Sequence, residues 1–130
     1  RISNWYFRAA ILFLVVGIAL GIQMSIAGDH SAMGAHAHIN LLGWVTSAIF
    51  GGYFALNPAK AEGLLPRIQF GIYTVGVIVM VVSLYLLLTG NTGVEPVVAA
   101  GSLITFAGVL LFGYIVFMPA KSGMRAMPAE

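Results

Sequence analysis

Four apolar stretches without a single charged side chain, at about 9–27, 36–56, 68–88 and 96–118, constrain this chain more than any other feature. A helix needs about 20 apolar residues to cross the hydrocarbon core of a bilayer, and each stretch is long enough. Between them lie helix breakers: Gly28-Asp29, Asn57-Pro58, Gly63 to Pro66, and Gly90-Asn91-Thr92-Gly93. Pro96 suits a first helical turn, where its missing N–H costs nothing. Connections this short force neighbouring helices to run antiparallel. Only 8% of the 130 residues are charged, against about 25% in a soluble domain, so the chain cannot cover a water-facing surface. The expected fold is all-α: one integral membrane four-helix bundle spanning residues 1–130.

Charge sets the expected orientation. Arg1 and Arg8 precede the first span, Lys60 and Arg67 lie between the second and third, and Lys121 and Arg125 follow the fourth. The other two loops carry Asp29 and Glu95 and no basic residue. The positive-inside rule then puts both termini in the cytoplasm. The net charge of +2 comes from these flanks and is no nucleic-acid footprint. The first apolar stretch has no small-residue cleavage site before a polar region, so it reads as a span and not as a cleaved signal. With no cysteine, disulfides, c-type haem attachment and thiolate metal sites are excluded.

Helix pairing in lipid depends on small residues that permit close approach. Gly17-x-x-x-Gly21 marks span one; Gly43, Ser47 and Gly51 mark span two. Gly71 and Gly76 mark span three, and Gly101, Thr105 and Gly108 mark span four. The expectation is a tight bundle, too small to enclose a porphyrin alone. A cofactor would sit more easily between protomers.

All three histidines fall within nine positions: His30 in the loop, then His36 and His38 at the start of span two. Ionisable groups in membrane helices are costly and mark function by default. At about 100° per residue, His36 and His38 point to nearly opposite helix faces and cannot share one metal from a regular helix. They can serve two sites. His36 shares its face with Asn40, Gly43 and Ser47, and His38 with Leu42, Val45, Ile49 and Gly52. Asn40 could orient a ligand imidazole or a bound water. His30 is a candidate third ligand or simply a solvated loop residue. Trp44 could stack on a porphyrin or pack between helices, and Met24 could be a soft ligand or fill a core gap. Imidazole suits haem iron and copper alike.

The run His36-Ala-His38-Ile-Asn-Leu-Leu-Gly43-Trp44-Val, continuing to Phe50-Gly51-Gly52-Tyr53, resembles the haem-binding helices of haem–copper oxidase subunit I. That superfamily includes cytochrome c oxidases and nitric-oxide reductases. One of its helices carries Ala-His-Ala with a low-spin haem ligand, which would be His36. Another splits a His-x-His pair, so that His36 would face the high-spin or gas-binding haem and His38 the low-spin haem. The resemblance covers about 50 residues, in spans one and two. It departs from the family in having four helices where subunit I has twelve, and no further histidines for a copper centre. Subunit I is built as three four-helix arcs, so this chain looks like one arc, and a homotrimer would rebuild the ring. The resemblance implies a b-type haem protein for electron transfer or for binding oxygen or nitric oxide, with a redox partner. As an enzyme it would be at most an oxidoreductase, for no complete binuclear centre is present. The expected location is a bacterial inner membrane with the histidines toward the periplasm. Two other readings stay open: a copper- or other metal-binding membrane protein using His30, His36, His38 and Met24, or a structural or assembly subunit of a respiratory complex.

Overall fold

A computed structural model describes residues 1–120, all of them in helices and short connections. Lys121 and Arg125, counted above with the basic residues, lie outside them. The helices are α1 (Ile2–Ala27), α2 (Met33–Leu56), α3 (Leu64–Leu88) and α4 (Glu95–Phe117). Each is long and apolar enough to cross a membrane. All four begin before the corresponding apolar stretch, α1 by seven residues, where Asn4 and Arg8 are exposed on its surface and do not interrupt the helix.

The ends are chemically marked. Gly28 takes the left-handed conformation (φ 64°) that closes α1, a backbone state that side chains with a Cβ disfavour. Asn57 Nδ2 donates to the Tyr53 carbonyl (2.9 Å) at the end of α2. Pro66 falls in the first turn of α3 and Pro96 in that of α4, where neither removes a helix hydrogen bond. Lys60 Nζ reaches across to α4 and donates to the carbonyls of Ile115 (3.0 Å), Val116 (2.8 Å) and Met118. A cation thereby satisfies the carbonyls that the last turn of α4 leaves unpaired.

Helix α2 is not uniform. Met33–His38 and Thr46–Leu56 are α-helical, but Ile39–Val45 between them is a π-helix. The Thr46 amide reaches back five residues to the Leu41 carbonyl, and the Thr46 hydroxyl bonds the same oxygen at 2.8 Å. The next carbonyl, Leu42, accepts a hydrogen bond from Tyr73 of α3 (2.5 Å). The widened turn therefore leaves no orphan at this point, which a membrane interior demands.

Sequence neighbours are spatial neighbours, in the order α1–α2–α3–α4, and α1 and α4 do not pack along one another among the described residues. Small residues set the approaches. A β-carbon on Gly76 would lie 2.6 Å from the Thr105 amide nitrogen, one on Gly101 2.6 Å from that of Met80, and one on Gly108 2.7 Å from Tyr73 Cα. The α3–α4 seam is thus backbone against backbone. Gly71, expected to share in this packing, faces open space.

At the end that carries Arg1, Lys60 and Arg67, the helices converge on an aromatic cluster. Tyr6 of α1 meets Phe50 (5.6 Å between ring centres) and Phe54 (6.0 Å) of α2 and Phe70 (4.8 Å) of α3. Phe50 stacks on Phe112 of α4 at 3.9 Å. Within this cluster the Tyr6 hydroxyl donates to Gln69 Oε1, and Gln69 Nε2 donates to the Gly108 carbonyl (3.1 Å). Tyr6 and Gln69 are fully buried, so one amide ties α1, α3 and α4. Replacing Gln69 with Leu should destabilise the fold by about 1–2 kcal/mol, because it strands a buried hydroxyl. Adding Tyr6→Phe should recover part of that loss in a detergent-unfolding titration, since no hydroxyl is then left unpaired.

Candidate functional site

The opposite end carries the histidines. The loop before α2 is shaped by Asp29, whose Oδ1 accepts from the Ser31 amide (3.0 Å) and the Ser31 hydroxyl. Those bonds hold the Asp29 carboxyl below the usual carboxylate range. His30 is exposed in this loop.

His36 and His38 both lie in the regular α-helical turn, before the π segment, so about 200° separates them. His36 is half-buried against α1, and His38 is exposed. His36 Nδ1 lies 2.9 Å from the Gly17 carbonyl oxygen, and His38 Nδ1 lies 2.6 Å from that of Gly34, one turn back in its own helix. A carbonyl oxygen can only accept, so in both rings Nδ1 carries the proton. Asn40 Nδ2 also comes within 3.3 Å of His36 Nδ1, but two donors cannot bond each other. The Asn40 amide instead donates to the His36 carbonyl at 2.8 Å. In the neutral form both rings therefore keep the lone pair on Nε2, the atom a metal would take.

Helix α1 supplies the cradle. The His36 ring lies over Gly21, where a β-carbon would come within 2.8 Å of His36 Cε1. The Asn40 side chain fills the space over Gly17, where a β-carbon would meet its Oδ1 at 2.6 Å. Gly43 faces the Phe13 ring, and Gly51 approaches Tyr6 and Phe7. The face of α2 that carries His36, Asn40 and Gly43 is thus turned to α1. Ser47 Oγ is buried without a hydrogen-bond partner among the described residues.

The other candidates stand apart. Met24 is buried and Trp44 is half-buried. His30, His36 and His38 do not come together: no group of three His, Cys, Asp or Glu side chains among the described residues could hold one metal ion. Two partners escaped the sequence reading. Gly17-x-x-x-Gly21 was legible as a contact motif, but nothing indicated that its occupants are the imidazole and the amide of α2. Tyr73, an ordinary bundle tyrosine by sequence, bonds the π turn that follows the histidines. Its only advance signal was position, opposite the middle of α2 in an antiparallel pair.

The chain matches no family model, no characterised protein and no solved structure.

Proposed function

We propose that this is a small membrane protein that binds b-type haem through His36 and His38, as a single four-helix unit similar to one arc of haem–copper oxidase subunit I. The observation that carries the reading is the paired backbone anchoring of the two imidazoles: each Nδ1–H rests on a carbonyl, leaving Nε2 as a neutral donor. Outer partners of this kind orient a ligand histidine and raise its basicity. The donor set fits haem iron, which takes one or two imidazoles and needs no three-residue cluster. Haem would supply reversible one-electron chemistry and a place for oxygen or nitric oxide to bind. The chain's own part is to hold two imidazoles on opposite faces of α2 with their tautomers fixed.

The half-buried His36 and exposed His38 favour a cofactor on the outside of the four-helix unit, shared between copies. With the basic end in the cytoplasm, the histidine end faces the other side of the membrane, the periplasm in a bacterium. The protein then acts in electron transfer or gas binding.

A reduced-minus-oxidised visible spectrum of the detergent-purified protein, with pyridine haemochromogen analysis, tests this reading. A b-type signal lost in His36→Ala or His38→Ala is expected. A protein without haem would overturn it, and copper found by metal analysis in its place would point to a haem-free metal protein.

A further inference from the structure

A second site lies at the other end of the molecule. The first turn of α1, the last turn of α2 and the connection after it enclose a cavity of about 360 Å³. Its floor is apolar, with Ile2, Phe54 and Pro58, and its polar lining is Arg1, Ser3 and Glu62. Ser3 is only 7% exposed, and it lines the cavity. Arg1 and Glu62 are exposed at the rim. Lys60, close by in sequence, is not available to the cavity, because its three donors go to carbonyls at the end of α4.

A cation, an anion and a hydroxyl-bearing residue line one cavity, a set that matches a ligand with both charges. The cavity sits at the charged end of four membrane-length helices, the depth of lipid headgroups. We propose that it binds the phosphoethanolamine headgroup of an aminophospholipid. The phosphate oxygens accept from the Arg1 guanidinium and the Ser3 hydroxyl, and the ammonium donates to the Glu62 carboxylate. The glycerol end rests on Ile2, Phe54 and Pro58. The chemistry selects among lipids. A choline headgroup carries its charge on methyl groups and has no N–H to give Glu62, and a glycerol headgroup has no cation at all.

The test is native mass spectrometry of the detergent-purified full chain titrated with phosphatidylethanolamine, phosphatidylcholine or phosphatidylglycerol. The ethanolamine lipid should bind about tenfold more tightly than either of the others. Glu62→Gln should erase that preference, and Arg1→Gln should weaken the ethanolamine lipid about tenfold. Both residues are exposed, so both variants should keep the helical content of the unaltered chain. Soluble phosphoethanolamine should compete only weakly. Equal binding of the three lipids, or either variant behaving as the unaltered chain, would overturn the proposal. Soluble phosphoethanolamine binding as tightly as the lipid would overturn the bilayer as its source.

Discussion

Gly101→Ala should destabilise the protein by about 3 kcal/mol, the upper end for overpacking, although alanine is the better helix former by about 1 kcal/mol. The opposing terms can be ranked because the new methyl group would meet backbone. It would lie 2.6 Å from the Met80 amide nitrogen and 2.8 Å from Met80 Cα. Neither atom can swing away, so α3 and α4 must separate along a seam where Gly76 and Gly108 make equally close approaches. Each increment of separation also loosens the contacts on either side, since dispersion falls steeply with distance. Gly71→Ala is the matched control: its β-carbon meets nothing within 4 Å, so only the helix-propensity gain remains. Unfolding titrations in mild detergent should therefore move the two variants in opposite directions. Equal stabilities would mean that the α3–α4 seam is not closely packed.

Gly21→Ala should behave differently, leaving the fold and removing the site. Its β-carbon would approach His36 Cε1 at 2.8 Å, which is side chain and not backbone. The imidazole can turn away, but it then leaves the Gly17 carbonyl that holds its Nδ1 proton. Helical content should stay unchanged. In the haem reading, affinity for the cofactor should fall about 10- to 100-fold, the usual loss when an outer partner of a ligand histidine is removed. A readout independent of haem is the nitrogen-15 spectrum of the histidines in cofactor-free protein. His36 should report a fixed Nδ1–H tautomer in the unaltered chain and a mixture in Gly21→Ala. A variant that keeps the fixed tautomer would show that α1 does not position the ring.

The contrast between these two glycines also shows what the sequence carried. Both were legible as small residues on a helix face, and the four helices were legible as charge-free stretches. What a glycine touches depends on the rotation of its partner helix, which composition does not encode. Gly71 and Gly76 looked alike, yet only Gly76 meets a neighbour. The early start of α1 was missed because Arg8 interrupts the apolar run without interrupting the helix. Gln69 gave no signal either: an uncharged amide in an apolar run resembles a solvated residue until the hydroxyl of Tyr6 is set against it. The opposed directions of His36 and His38 could be read, since they lie two residues apart in a regular helix. That both would rest on backbone carbonyls could not, because one of those carbonyls belongs to α1.

The π turn at Ile39–Val45 has one more consequence, for angular phase. A helix that reaches back five residues where its neighbours reach back four holds one more residue than regular winding would need. One residue is worth about 100° of rotation. The histidine half of α2 is therefore turned by about that angle relative to the half that carries Phe50 and Phe54. Regular winding throughout could aim the imidazole of His36 at Gly21 or the ring of Phe50 into the aromatic cluster, but not both. The two ends of this helix are matched to different neighbours, and the Tyr73 hydroxyl is the latch that keeps them out of step.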